Sequence, residues 1–162
     1  MHFESVQKMR NECAIVSDLI CDVISKSRVL YSGNLSLIVV PGEEGDMGLM
    51  ENHEPYVLSL RDGIIRGRTH SGKLLIAAIM GGYAQVLGRR VIIICDKARS
   101  LPAIDYQEVQ TAYKEVSRRL EEIEKHREEE EEYAVTHSLL TRRLRWLKVQ
   151  KEAKERENFY RY

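Results

Sequence analysis

Cysteine is scarce in this chain: three in 162 residues, Cys13, Cys21 and Cys95, with no C-x-x-C pair and one left over from any pairing. That excludes a disulfide frame and reads as reduced thiols in a cytosolic setting. Cys95, at the end of an apolar run, is expected as a small core residue rather than a nucleophile. Net charge is missing too, with 25 Lys and Arg against 25 Asp and Glu. A sequence-independent grip on nucleic acid is therefore excluded, and no surface suited to anionic lipid is expected. No apolar run approaches the length of a membrane span, and Ser17 and Asp18 break the short run Cys13 to Val16 before it could act as a signal core. The reading is a soluble chain without direct membrane insertion, linked to a membrane only through a partner. The five histidines, His2, His53, His70, His126 and His137, share no metal-ligand spacing with the cysteines. There is no Gly-x-Ser-x-Gly elbow and no acid pair placed for proton transfer, so neither a cofactor nor a metal is expected.

What the chain does contain is a concentration of special-geometry residues from Pro41 to Pro55, with Gly42, Gly45 and Gly48 at three-residue spacing. A β-branched run, Leu35 to Val40, leads into it. Two readings stand side by side: a glycine-rich turn between strands, or a surface loop shaped to dock on a partner. Around it, from Leu19, short runs rich in Val, Ile, Leu and Tyr alternate with turn signals. The expected strands are Leu19 to Ser25, Val29 to Tyr31, Leu35 to Val40, Tyr56 to Leu60, Ile64 to Arg68, Leu74 to Met80, Tyr83 to Leu87 and Val91 to Cys95. Turns are expected at Ser32-Gly33-Asn34, Arg61-Asp62-Gly63, Ser71-Gly72-Lys73 and Leu87-Gly88-Arg89. Eight to ten short strands need two faces, which predicts an all-β sandwich or flattened barrel over 19–100. Residues 1–18 carry only a weak helical face, Phe3, Val6, Arg10 and Cys13, and form an extension without an assigned role.

After Pro102 the period changes. Tyr106, Val109, Tyr113, Val116, Leu120 and Ile123 advance by three and four alternately, a narrow helical seam of period 3.5. Asp105 with Glu108 three residues on predicts an N-terminal capping box. The run Glu128 to Glu132 predicts a solvated break. A second helix follows, with Leu139, Leu140, Leu144, Trp146 and Leu147 on one broad side. Over 101–162 this spells a C-terminal α-helical hairpin appended to the sandwich. Its seam, buried only by a two-helix contact, predicts a loosely held arm. Trp146, Phe159, Tyr160 and Tyr162 are read as partner or hairpin packing, with ligand stacking as the alternative. Gly67-Arg-Thr-His-Ser-Gly72-Lys73 fits the start of a phosphate-binding loop, but Leu74 replaces the magnesium-binding Ser or Thr and a strand follows where a helix is required, so a hairpin turn is expected.

The run Val39-Val-Pro-Gly-Glu-Glu-Gly-Asp-Met-Gly-Leu, then His53-x-Pro55, Leu60-x-x-Gly63, Met80-Gly-Gly-Tyr-Ala-Gln-Val86, Val91-Ile-Ile-Ile and Asp96-Lys-Ala98 resembles the epsilon subunit of F-type ATP synthases in order and spacing. The resemblance spans roughly Leu19 to Ala98. It implies a non-catalytic central-stalk subunit on the cytoplasmic face of the inner membrane. The sandwich would dock on the gamma subunit and the c-ring, and the helical arm would extend toward the catalytic alpha and beta subunits to restrain ATP hydrolysis.

Carried over residue by residue, the resemblance places Asp46, flanked by Gly45 and Gly48, in the loop facing the c-ring and His53 near the gamma interface. Glu51 and Asn52 stand where the family usually has Pro-Gly. Gly81 and Gly82 match a paired glycine that allows close strand packing. Arg142, Arg143, Arg145 and Lys148 are the basic residues that would meet the catalytic subunits. Some bacterial members bind ATP through a motif resembling Ile-Asp-x-x-Arg-Ala. Here Ile104, Asp105 and an alignable Arg142 remain, but Glu108 and Val109 replace the Arg and Ala and Trp146 replaces a second arginine. A glutamate beside a phosphate chain is unfavourable, so the expectation is against ATP binding. Two other classes stay open: a stand-alone adaptor that self-associates, and a nucleotide-hydrolysing enzyme, which the broken phosphate loop disfavours.

Overall fold

The computed structural model describes residues 18–125 and 133–160. The extension through residue 17, the glutamate run Glu128 to Glu132 and Tyr162 lie outside the described residues. Alternating apolar and polar positions build the strands. In β1 (Leu19–Ser25), Leu19, Cys21 and Val23 point inward and are fully buried. The same period continues through β2 (Arg28–Leu35), β3 (Leu37–Gly42), β4 (Gly45–Leu49), β5 (His53–Leu60), β6 (Gly63–Arg68), β7 (Leu74–Met80), β8 (Gly82–Gly88), β9 (Arg90–Cys95) and β10 (Lys97–Ser100). The strand order is β10-β7-β6-β3-β5-β8-β9-β1-β2, with β4 added to β3. Among the described residues only β1 and β9 pair in parallel. The sheet curls until β10 comes back to β1 and β2, giving a nearly closed ten-stranded sandwich around one inner core.

Two strands escape a pattern reading. β10 carries Lys-Ala-Arg-Ser, without an apolar period. β4 lies inside the glycine-rich segment, where Gly42 stands opposite Gly45 and Pro41 opposite Asp46. Pro41 to Pro55 is thus neither a simple turn nor an irregular loop. It is a hairpin whose second strand packs Leu49 into the core. The expected turn at Ser32-Gly33-Asn34 is also overturned, because these residues run inside β2, opposite Asp22, Cys21 and Ile20. β2 is an edge strand, so polar residues fit its open face. The Ser32 hydroxyl donates to Asp22 (2.7 Å) and the Asn34 amide to Asp18 (3.0 Å). The real corner is Ser36, whose amide and hydroxyl both donate to the Arg68 carbonyl (2.7 and 2.8 Å).

A 3₁₀ turn at Leu101–Ala103 leads into α1 (Tyr106–Lys125), then α2 (Tyr133–Glu155) and one further turn, α3 (Glu157–Tyr160). Asp105 caps α1: its carboxylate accepts from the amides of Gln107 (2.9 Å) and Glu108 (3.0 Å). The hairpin is more than a two-helix contact. Val109, Val116 and Leu147 share a second core with Ile76 and Ala78 from the outer face of β7. β7 is therefore covered on both sides, which explains its unbroken apolar run. Of the broad apolar side expected of the second helix, Leu147 is buried and Leu140, Leu144 and Trp146 pack half-buried against this core, while Leu139 is 64% exposed.

Candidate functional site

The sandwich has a covered flank and a bare one. The second helix, α2, lies on β7 and β6 with α1 against it, while the outer faces of β5, β8 and β9 carry Val57 (60% exposed), Tyr83 (62%), Leu87 (50%) and Ile94 (57%). Register brings them together: Tyr83 stands between Ile94 on one side and Ser59 on the other, and Val57 faces Gln85. Inward neighbours of the same strands, Leu58, Ala84, Val86 and Ile93, fill the core. The outer face of these strands is largely apolar, with Ser59 and Gln85 interrupting it, and among the described residues no element packs against it. An apolar sheet face of this kind marks an interaction surface.

His53 opens β5 at the rim of this face, opposite Gly88, and is half-buried. Just before it, Asn52 takes φ 59°, the left-handed conformation that asparagine tolerates better than most residues. Asn52 thereby makes the turn that leads into β5. At the opposite end of the sandwich stands the β3–β4 tip. Gly45 there has φ 141° with open space around it, and a Cβ built at Gly48 would meet Leu37 at an ordinary 3.7 Å. Asp46 receives Arg61 (2.6 Å) and Arg66 (2.7 Å) on its two carboxylate oxygens. The structure thus keeps Asp46, Gly45 and Gly48 together and sets His53 apart at the other end. An open cleft of about 340 Å³, lined by Glu43, Glu44, Tyr56 and Val57 among others, runs from the tip toward the apolar face.

The basic residues of the arm divide into two pairs. Arg142 reaches Asp96 (2.8 Å) and Arg145 reaches Asp62 (3.5 Å), both on turns of the sandwich. Arg143 and Lys148 make no ion pair among the described residues and are exposed. Asp96 also receives Lys26 at 2.7 Å. The hydrogen bond from Lys26 first, with the charge of Arg142 adding to it, holds the Asp96 carboxyl below its ordinary value of 3.8. A carboxyl held low contributes stability above its unfolded value and loses it as pH falls through the folded one. The Arg142 share of this latch acts on the arm. Arg142→Gln is expected to speed amide exchange along α2 by about two- to five-fold at low salt, as for an exposed ion pair. The difference should shrink in high salt and be lost as pH falls from the ordinary carboxyl value of 3.8 through the lower folded value of Asp96. Equal exchange in both proteins at neutral pH and low salt would remove the latch.

Ile104, Asp105 and Arg142 do not line one cavity. Ile104 is 3% exposed in the second core, Asp105 is engaged in its cap, and Arg142 is on Asp96. The Tyr106 hydroxyl donates to Glu155 (3.0 Å), which sets the start of α1 beside the end of α2. Arg142 lies about 20 Å farther along α2 at the helical rise. The phosphate-loop look-alike is a hairpin turn. The Thr69 and Lys73 backbones pair (2.9 Å), the Lys73 amide donates to Thr69 Oγ1 (2.9 Å), and Gly72 has φ 83°. Burial pushes the Cys21 and Cys95 thiols up to about 12 and about 11, leaving both as protonated core residues. Sequence reasoning missed the apolar outer face and the acidic latch partners. The signal for the first was present: Val91-Ile-Ile-Ile is apolar at both parities, and Tyr83 and Leu87 fall on the parity opposite Ala84 and Val86.

A ten-stranded sandwich with one bare apolar flank, carrying on its other flank a helical hairpin held by a second core and ion pairs, defines a protein built around docking surfaces. Residues 18–100 match the family described as the ATP synthase Delta/Epsilon chain, beta-sandwich domain, and the chain belongs to that family. It is 34% identical over 96 residues to ATP synthase epsilon chain 2 of Ralstonia nicotianae, covering 59% of this chain and 69% of that protein. To the ATP synthase epsilon chain of Desulforamulus reducens it is 30% identical over 112 residues, covering 67% and 84%. The fold is shared with a chain in the Euglena gracilis mitochondrial ATP synthase, seen in an OSCP/F1/c-ring assembly in rotational state 1. The TM-score is 0.68 at 22% identity, over 85% of this chain and 81% of that one. Among the described residues no helix is long and apolar enough to cross a membrane.

Proposed function

We propose that this chain is the non-catalytic central-stalk subunit of a proton-translocating F-type ATP synthase, peripheral to the membrane. Its sandwich, 19–100, joins the gamma subunit to the c-ring, and its helical arm, 101–162, restrains ATP hydrolysis. The observation that carries this reading is the bare apolar face of β5, β8 and β9, continuous from His53 at one end toward the β3–β4 tip at the other. Gamma occupies that face, and the tip with Gly45, Asp46 and Gly48 meets the ring. Arg142 and Arg145 hold sandwich acids while the arm is docked. On extension they exchange those partners for acidic surfaces of the alpha and beta subunits, joined by Arg143 and Lys148. Charge steering of this kind acts mainly on rate and specificity.

The experiment is ATP hydrolysis by an epsilon-free catalytic head, titrated with the full chain and with a version ending at Leu101, while binding of each to gamma is followed. Both are expected to bind, and only the full chain to suppress turnover. Because neutralising Arg142 or Arg145 also frees the docked arm, the cleaner charge variant neutralises Arg143 and Lys148 alone. Failure of both versions to bind gamma would return the chain to a self-associating adaptor.

A further inference from the structure

Arg66 is a side chain with two neighbours on different parts of the chain. Its guanidinium holds the Asp46 carboxylate at 2.7 Å and lies over the ring of Tyr160, 5.7 Å from the centroid. Asp46 belongs to the β3–β4 tip, and Tyr160 to the last described turn of the arm. Between them lies a small cleft of about 90 Å³, lined by Asp46, Arg61 and Arg66 from the sandwich and by Glu152, Arg156 and Tyr160 from the arm. A guanidinium over an aromatic face is attracted by the ring's electron cloud, and the attraction depends on the cation being held in place. The carboxylate is what holds it: with Asp46 fixed also by Arg61 at 2.6 Å, the Arg66 fork is set before the arm arrives.

We propose that Arg66 is a positioning residue that couples the tip to the seating of the arm. A cationic group of a partner that takes the Asp46 carboxylate removes the anchor of Arg66, and the last turn of the arm loses its seat. Coupling of this kind is reciprocal: an arm that has left its dock leaves Arg66 and Asp46 freer to exchange partners at the tip. The coupling rests on the reading above for its purpose, since that reading makes the tip and the arm the two working parts. Its physical content lies wholly within this chain.

The test uses the isolated full chain. Asp46→Asn is expected to speed amide exchange of residues 153–160 about three-fold while amides of the inner sandwich are unchanged. Tyr160→Ala should produce a loosening of the same size, the two together should add nothing further, and Tyr160→Phe, which keeps the ring, should behave as the parent. The ring-current shift of the Arg66 side-chain protons should shrink in Asp46→Asn, a change that a purely local role of Asp46 would not make. Unchanged arm amides in Asp46→Asn, or effects of the two variants that simply multiply, would overturn the coupling. Gamma and the ring are absent from this measurement, so its failure leaves the stalk reading untouched, and loss of the stalk reading leaves this result standing.

Discussion

Gly82→Ala is expected to destabilise the sandwich by about 3–5 kcal/mol and to lower its melting midpoint by about 10 °C or more. Two effects combine. Gly82 has φ 124°, a conformation that side-chain-bearing residues rarely adopt and that costs them about 1–3 kcal/mol. A Cβ built there would stand 2.1 Å from the Ile94 carbonyl oxygen and 2.8 Å from the Cys95 Cα. Both are backbone atoms of the neighbouring strand, so relief requires β8 and β9 to part. The control is Gly45→Ala, where φ is 141° but nothing lies within 4 Å. It bears the conformational cost alone, about 1–2 kcal/mol. Denaturant melts of the three proteins decide the matter: equal midpoints for the two variants would show that the close approach at Gly82 does not constrain the fold.

The pairing at Gly82 shows where a sequence is legible. The close strand packing that the resemblance implies for Gly81-Gly82 is found at Gly82, whereas a Cβ at Gly81 would meet its neighbours only at an ordinary 3.9 Å. The strands whose inward residues alternate, such as Leu19, Cys21 and Val23, are readable because a two-residue period has one physical cause, a half-buried pleat. The heptad positions Val109, Val116 and Ile123 are readable because a helix buries one stripe. β2 is misread through Ser32-Gly33-Asn34 because turn residues and the polar face of an edge strand have the same composition, and only the partner strand separates them. β10 is missed because four residues held by pairing with β7 need no pattern of their own.

For the site the division is sharper. The roles of Asp46 and His53 rest on resemblance alone, whereas the Asp105 cap is legible through local chemistry. The ion pairs of Arg142 with Asp96 and Arg145 with Asp62 span 46 and 83 residues, and no local rule selects an exposed carboxylate at that distance. The second core is hidden for the same reason. Ile76 and Ala78 read as interior of the sandwich, and only the placement of the arm shows that they serve its outer face. That core also corrects the energetics. A seam buried between two helices alone would be marginal, whereas one shared with β7 holds the arm through several buried side chains, each worth roughly 1.5–3 kcal/mol. Release of the arm therefore needs a partner that reburies that surface or a shift at the ion pairs that flank it.

The second large effect concerns the bare flank. Tyr83→Ser combined with Ile94→Ser is expected to weaken binding to gamma by about 100-fold or more, because aromatic and large aliphatic anchors near the centre of an interface each contribute about 2 kcal/mol or more. The two residues stand opposite each other on β8 and β9, so one paired change removes the middle of the patch. Both are more than half exposed, and serine introduces neither charge repulsion nor a cavity. The fold should therefore lose no more than the modest strand preference of the two side chains, about 1 kcal/mol each at most. Leu139→Ser, equally exposed but on the arm, is the control and should leave gamma binding intact. If the paired variant still binds gamma at parental strength, the apolar flank is not the gamma interface. If it instead abolishes a homodimer of the parent chain, the flank belongs to a second copy of this chain. The separation works because the same surface cannot be covered by gamma and by a second copy at once.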